Sequence, residues 1–273
     1  MPEVWEEDFS QKLRTRAPSA HGKCATCARH KEIIRKLGSN ERARLAQSAL
    51  WSEHLNRQFA DRRIYWNSRA LSRIGSDSQG NKVLTIIVDG MDHSKWALPR
   101  SKVFESKAFA GMVRPHLDCT GLIAHGRLVM IAFAEGHIVK GANWTCELLS
   151  LALQKLSGVM DLRDYELHIQ SDNSSRECKS NTVARYLALI TSRRRVRSAR
   201  LQCCVTGHSH EDIDQFFSLL GSFLESRSEM HNPEQFMDSL RQYLANRSVR
   251  PNEELRDVRK IDVVHQWNTV CID

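Results

Sequence analysis

Residues 83–92 read Val-Leu-Thr-Ile-Ile-Val-Asp-Gly-Met-Asp. An uncharged run of mostly β-branched and leucine residues leads into an acidic turn, which is typical of a strand buried on both faces. Such a strand belongs at the centre of a sheet. An unpaired carboxylate at the end of a buried strand costs desolvation energy, so Asp89 and Asp92 favour a divalent metal ion as their partner. The common alternative is a strand that simply ends at an Asp-Gly turn, and Asp92 by itself suits that turn.

The composition describes a basic globular protein. The chain has 273 residues, 41% of them hydrophobic, and a formal net charge of +8, which favours nucleic acid or another anionic surface as the partner. Its eight cysteines are scattered along a chain too long for a disulfide scaffold, which is typical of reduced intracellular thiols. The acidic N-terminus is unlike a signal peptide, and no apolar run reaches the roughly 20 residues of a membrane span. We therefore expect no membrane partner and a nuclear or cytoplasmic location.

The order of elements predicts an α/β domain behind a helical region. From residue 83 the periodicities give strand, strand, strand, helix, strand, helix, strand, helix, which is the order of a mixed sheet flanked by helices. Residues 40–74 form a basic helical stretch, whose arginines suit either a phosphate backbone or solvent, and residues 75–81 are all turn formers. The predicted organisation is a disordered lead-in (1–22), a helical region with Cys-x-x-Cys (23–78), a catalytic domain (79–230), and a C-terminal helix and tail (231–273).

Residues 21–30 read His-Gly-Lys-Cys-Ala-Thr-Cys-Ala-Arg-His. Two thiolates at the spacing of Cys24 and Cys27 can chelate one tetrahedral zinc ion, so the motif is half of a structural zinc site. The missing ligands could be His21, His30 or His54. Ordinary surface thiols are the alternative.

Acidic residues stand at three comparable places in the chain. Asp89 follows the first strand, Asp172 follows the strand predicted at 165–170, and Asp212 and Asp214 open a helix. Strand ends at a topological switch form the crevice of an α/β sheet, so these carboxylates can converge. Three carboxylates suit Mg²⁺ or Mn²⁺, and two such ions about 3.5–4 Å apart can activate a nucleophile and stabilise the leaving oxygen of a phosphodiester.

The helix start leaves a choice between Asp212 and Asp214. Asp212 lies three residues after Ser209, which is the spacing of a capping box and predicts a structural role. Asp214 lies one helical turn after His210 on the same face, so we predict Asp214 as the third metal ligand. A simple His-Asp surface pair is the alternative for these two residues.

Three segments together resemble DDE/D-type transposase and integrase-like domains with a ribonuclease H-like fold. They are Ile-Ile-Val-Asp89-Gly-Met-Asp, Asp172-Asn after Leu-His-Ile-Gln-Ser, and Gly207-His-Ser-His-Glu-Asp-Ile-Asp214-Gln-Phe-Phe. The resemblance spans residues 83–224 and implies a five-stranded mixed sheet flanked by helices, with Asp89, Asp172 and Asp214 as ligands of two Mg²⁺ or Mn²⁺ ions. It also places His208 beside the scissile phosphate.

The implied activity is a metal-dependent polynucleotidyl transferase or nuclease of mobile-element origin, acting in DNA recombination, with possible homo-oligomers on DNA. The chain departs from the pattern after Asp172, where Asn-Ser-Ser-Arg-Glu replaces the frequent Gly-Gln-Asn type of loop. A catalytically inactive, domesticated remnant that only binds DNA is the alternative.

A run of arginines precedes the last predicted core strand. Because like charges repel, clustered arginines favour a polyanion, and we predict that the run lies near the DNA path. It consists of Arg193, Arg194, Arg195, Arg197 and Arg200.

Overall fold

The computed structural model describes residues 24–91, 97–101, 111, 113–203, 211–227, 229–246 and 255–270. These residues divide into two compact units, one ending at His54 and the other starting at Leu55. The division falls inside a helix, whereas the sequence predicts a boundary near residue 78, and the predicted domain bounds stay a prediction. The predicted lead-in, residues 1–22, lies outside the described residues.

The helices and strands are numbered here in chain order within the described residues. The helices are α1 (Ala25–Lys36), α2 (Glu41–Ile74), α3 (Ala142–Ser157), α4 (Asn181–Ser192), α5 (Asp212–Glu225), α6 (Pro233–Asn246) and α7 (Trp267–Val270). The strands are β1 (Lys82–Gly90), β2 (Arg100–Ser101), β3 (Leu117–Ala124), β4 (Leu128–Glu135), β5 (Tyr165–Ser171), β6 (Ser198–Cys203), β7 (Glu229–Met230) and β8 (Leu255–Lys260). None of these helices is both long and apolar enough to cross a bilayer.

The main sheet is mixed and has the strand order β6-β5-β1-β3-β4-β8. Strand β3 runs antiparallel to its two neighbours, whereas the β1/β5, β5/β6 and β4/β8 pairs are parallel. Within the main sheet, β1, β3 and β4 therefore follow one another in sequence and lie side by side. Strands β5, β6 and β8 are each reached through a connection that contains a helix. This arrangement confirms the predicted α/β, ribonuclease H-like fold.

Strand β1 is the central strand of the second unit, as its composition predicts. Leu84 and Ile86 have no exposed surface, and they pack with residues of α3 and α4 on one face of the sheet. Ile87 points to the opposite face and joins the apolar side chains of α5 and α6. Alternation along the strand thus feeds two cores, which is why almost every residue of β1 must be apolar.

The sheet has six strands where the sequence predicts five. The additional strand is β8, which pairs in parallel with β4 at the edge of the sheet. Its sequence, Leu-Arg-Asp-Val-Arg-Lys, carries charges on an edge that is half-buried, so it lacks the apolar signature by which β1 is recognised. The structure corrects the predicted tail accordingly, because residues 255–260 complete the sheet.

Candidate active site

Asp89 and Asp172 lie level with each other at one edge of the sheet. Strands β1 and β5 are parallel neighbours, and Ile87 pairs with Gln170, so two further residues along each strand lead to Asp89 and Asp172. The chain leaves β1 toward β3 on one side and later returns to β5 on the other. The two carboxylates therefore stand at a topological switch point, outside the carboxyl ends of the strands, where α/β sheets bind ligands.

The electrostatics show that further carboxylates approach Asp89. Burial raises the pKa of Asp89 to about 7, against the effect of the Gly90 N–H, which donates to the carboxylate over 2.8 Å. The charges of Asp214, Asp172 and Glu177 raise this pKa further. Like charges act in this way only at short range in a partly buried site. Three further acidic side chains thus lie in electrostatic range of Asp89 at this end of the sheet, and together with it they favour a cation.

Helix α5 brings Asp214 to this edge by packing directly on β3. Gly121 pairs with Asp89, and a Cβ added to Gly121 would lie 2.9 Å from Cζ of Phe217 and 3.3 Å from Cδ1 of Ile213. A side chain at position 121 would therefore collide with the helix. The glycine permits a close approach of helix and strand beside Asp89.

The start of α5 differs from the sequence prediction. The N-cap is Glu211, and Asp214 occupies the third helical position, where its Oδ2 accepts a hydrogen bond of 2.9 Å from the Glu211 backbone N–H. The sequence predicts Ser209 as the cap, with Asp212 at the third position; Ser209 lies outside the described residues. Asp214 is thus the acid that satisfies a free N–H of the first turn, which holds its carboxylate in a defined orientation.

Asp212 and Glu211 are bound by the carboxyl-terminal half of α2. Arg69 donates to both oxygens of Asp212 at 2.7 Å, and Arg73 approaches the same carboxylate at 3.6 Å. Glu211 accepts from Nε of Arg62 at 2.8 Å and from Nε1 of Trp66 at 3.1 Å. The sequence suggested that the arginines of α2 face either a phosphate backbone or solvent. Arg62, Arg69 and Arg73 do neither, because they neutralise the acidic start of α5. The arrangement ties Asp212 to stability and favours Asp214 as the acid of the crevice.

Two charged residues near Asp89 and Asp172 were not predicted from the sequence. Glu177 lies in the turns after β5, five positions beyond Asp172, and a second carboxylate so soon after a site acid was the available signal. Lys140 has Nζ 3.4 Å from the position of a Cβ on Gly90 and 3.4 Å from Oδ1 of Asp118. Its position depends on the β4-to-α3 connection, for which the sequence carries no distance information.

The arginine run lies at the other end of the sheet. Arg197 N–H donates to the Tyr165 carbonyl at the amino end of β5, whereas Asp172 follows its carboxyl end. Seven residues of strand at about 3.3 Å each separate the two ends by about 20 Å. Arg200 pairs with Glu166, Arg197 approaches the same carboxylate at 3.5 Å, and Arg193, Arg194 and Arg195 are exposed. The run is close in sequence to the predicted active-site strand but does not share an edge with the carboxylates.

The remaining predicted site residues are placed as follows. His208 and Asp92 lie outside the described residues. Cys24 and Cys27 lie at the start of α1 in the first unit. Among the described residues, Asp89, Asp172 and Asp214 do not form a group whose ligand atoms all lie within 4.8 Å of one another. The carboxylates are therefore spread more widely than the ligand shell of a single ion.

Comparison with known proteins gives a family and a set of structures. The family model described as Domain of unknown function (DUF7869) matches residues 107–271. The chain is similar to the crystal structure of the mariner Mos1 paired end complex with Mg, at 13% identity and a TM-score of 0.42, over 90% of this chain and 80% of that chain. The corresponding complex with Mn gives the same values. The crystal structure of a pre-cleavage Mos1 transpososome gives 12% and 0.44, over 90% and 79% of the two chains. No curated protein matches the chain.

Proposed function

This chain belongs to the DUF7869 family, and we propose that it is a transposase-derived, metal-dependent enzyme that cuts and joins DNA phosphodiesters. The observation that carries the proposal is the convergence of Asp89 and Asp172 at the switch point of the sheet, with Asp214 and Glu177 in electrostatic reach. A fold alone does not imply an activity, so the argument depends on these side chains.

The crevice suits hard divalent cations. Its acidic side chains offer only oxygen atoms, which Mg²⁺ and Mn²⁺ prefer over the nitrogen and sulfur ligands of zinc or copper. Burial, together with the charges of Asp214, Asp172 and Glu177, raises the pKa of Asp89, and a bound cation would relieve this penalty on the charged carboxylate. Asp89, Asp172 and Asp214 would hold the two ions that the resemblance implies. Bound there, the ions would activate a water or 3′-hydroxyl and stabilise the leaving oxygen.

The protein groups around the crevice fix the carboxylates before substrate binds. The Glu211 N–H holds Oδ2 of Asp214, and Arg62 and Trp66 hold the Glu211 side chain in turn. On the strand side, the Gly90 N–H holds Oδ1 of Asp89. Preorganised ligands of this kind lower the cost of ordering the site when ions and phosphate arrive. Lys140, beside Gly90, is paired with Asp118 and supplies a positive charge at the same end of the sheet.

A nucleic acid is the substrate class that fits the charge of the whole chain. The net charge is +8, although the candidate site itself is acidic, so the attraction must come from surfaces outside the crevice. Duplex DNA is our choice because the residues of the site follow the order of the DNA-acting domains that the sequence resembles. A remnant that binds DNA without cutting it is the alternative, favoured by the unusual segment after Asp172.

The test is cleavage of end-labelled duplex DNA by the full chain with Mg²⁺, Mn²⁺ or EDTA. We expect nicked or joined products with either metal and none with EDTA or with the Asp172→Asn variant. Binding measured by fluorescence anisotropy should be retained by that variant. Binding of DNA without cleavage under either metal would favour the inactive remnant, and metal-independent cleavage equal in both proteins would point to a contaminating nuclease.

A further inference from the structure

A second group of metal-ligand side chains lies in the first unit and has no part in the carboxylate site. Among the described residues, Cys24, Cys27 and His54 form the one group of three such side chains whose ligand atoms all lie within 4.8 Å of one another. Cys24 is the N-cap of α1, Cys27 lies in its first turn, and His54 belongs to α2. The sequence left His21, His30 and His54 open as partners of the cysteines, and the group found among the described residues contains His54.

The spacing of these atoms fits a tetrahedral zinc ion. Zinc bonds of about 2.3 Å to sulfur and about 2.0–2.1 Å to nitrogen, at the tetrahedral angle, separate a sulfur and a nitrogen ligand by about 3.5 Å. Cys24 Sγ and His54 Nε2 are 3.5 Å apart. The separation therefore needs no rearrangement to accept an ion. Cys24 is also buried, which places this thiol away from bulk water.

Two features of the surroundings suit thiolates and not merely thiols. The indole Nε1 of Trp51 donates to Sγ of Cys27 at 3.4 Å, the kind of outer hydrogen bond that orients a metal ligand. Both cysteines lie at the amino end of α1, where the helix dipole attracts negatively charged groups. Two thiolates and a neutral imidazole would also balance the two positive charges of the ion.

His30 does not belong to the group of ligand atoms that lie within 4.8 Å of one another. Its Nδ1 contacts Nε2 of Gln47 at 2.5 Å, and its ring lies 6.2 Å, centroid to centroid, from that of His54. The fourth ligand is then a water molecule or a group outside the described residues.

We propose that Cys24, Cys27 and His54 bind one structural zinc ion that clamps α1 to the amino-terminal half of α2. Within the first unit, neither helix has a fully buried apolar side chain other than that of the N-cap Cys24. With so little core, a metal ion supplies the cross-link that apolar burial cannot. The site is independent of the proposed enzymatic activity.

The experiment measures metal bound to the untagged full-length protein. We expect about one equivalent of zinc for the unmutated protein and for His30→Gln, and less than about a tenth of an equivalent for His54→Gln and Cys27→Ser. His30→Gln is the matched control because it removes the neighbouring imidazole from the same pair of helices. Cobalt in place of zinc should give the intense visible bands of a tetrahedral thiolate site, weakened in Cys27→Ser.

Folding is monitored separately, so that loss of metal is not confused with loss of structure. Circular dichroism of each variant should keep the signal of the second unit. Zinc retained equally by His54→Gln and His30→Gln would overturn the assignment of His54. Unmutated protein that takes up neither zinc nor cobalt, with cysteines equally reactive with and without the metals, would overturn the site itself. Cleavage assays on Asp172→Asn address the carboxylate site alone, so the two proposals can fail independently.

Discussion

The two ends of the main sheet carry opposite charges. The carboxyl ends of β1 and β5 lead to Asp89 and Asp172, whereas the amino end of β6 follows the exposed Arg193, Arg194 and Arg195. The ends lie about 20 Å apart at about 3.3 Å per strand residue. The arginine run precedes β6, and the acidic start of α5 follows that strand. The two segments are close in sequence, yet they lie at opposite ends of the sheet because β6 runs between them. The contrast implies that cutting and general attraction to DNA reside in different places and can be separated by mutation.

The largest expected effect is that of Asp89→Asn. Loss of this central carboxylate should lower cleavage with Mg²⁺ at least about 1000-fold, since an amide cannot replace an anionic ligand of the ions. DNA binding should stay within about twofold, because the binding surfaces are expected elsewhere. The measurements are single-turnover cleavage and anisotropy on the same preparation. Cleavage within tenfold of the unmutated protein would remove Asp89 from the site.

The same substitution should stabilise the metal-free protein. Burial raises the pKa of Asp89 from 3.8 to about 7, so the folded state disfavours the charged carboxylate. This penalty is absent below about pH 4, grows as the pH rises, and is complete above about pH 7. Asp89→Asn should therefore unfold at higher urea than the unmutated protein at about pH 8, by about 1–3 kcal/mol after allowance for solvent screening, and equally at about pH 4. Equal urea midpoints at both pH values would show that the carboxylate is not strained.

The central part of this picture could be predicted from sequence, and the reasons are specific. Strand β1 can be predicted because burial on both faces requires an uninterrupted apolar run. The ribonuclease H-like order follows from the succession of predicted strands and helices. Strand β8 was not predicted because it is an edge strand in which four of six residues are charged. The position of the arginine run was deducible, since the β5-α4-β6 crossover must return the chain to the amino end of the sheet. Glu177 and Lys140 depend on turn conformations that no periodicity encodes.

The second prediction separates the two acids of α5. Asp214→Asn should abolish cleavage yet leave folding intact, because the amide oxygen can still accept the hydrogen bond from the Glu211 N–H. Asp212→Asn should destabilise the protein by about 1–3 kcal/mol, because Arg69 and Arg73 lose the half-buried negative charge with which they pair. Cleavage should be largely unchanged. The sequence predicted that Asp212 stabilises the protein as part of a helix cap. In the structure its contribution comes from the ion pairs with Arg69 and Arg73. An essential Asp212 with a dispensable Asp214 would reverse the assignment.

The third prediction concerns the packing that delivers Asp214. Gly121→Ala places a Cβ 2.9 Å from the Phe217 ring, so the ring or α5 itself must shift, which should cost about 1–3 kcal/mol and reduce cleavage more than DNA binding. Gly221→Ala is the matched control in α5 itself, where an added Cβ meets nothing within 4 Å. That variant should gain up to about 1 kcal/mol of helix stability with unchanged cleavage. Thermal unfolding and single-turnover rates compare the two. Similar losses in both would mean that helix position is not what the glycine secures.

The smallest effect is expected at the opposite end of the sheet. Replacing Arg193, Arg194 and Arg195 together by glutamine should weaken binding to all DNA sequences alike, because phosphate contacts carry no sequence information. If all three contact phosphates, the slope of log affinity against log salt should fall by about 2–3, and cleavage at saturating DNA should not change.

Replacement of Arg197 and Arg200 by glutamine is the matched control. Both side chains approach Glu166, so their release costs an ion pair and should alter the slope less. An unchanged slope in the triple variant would leave the run as a solvated turn, and DNA would then have to reach the carboxylates by a path on the other edge. A fall in cleavage at saturating DNA would instead mean that the duplex contacts both ends of the sheet, which lie about 20 Å apart.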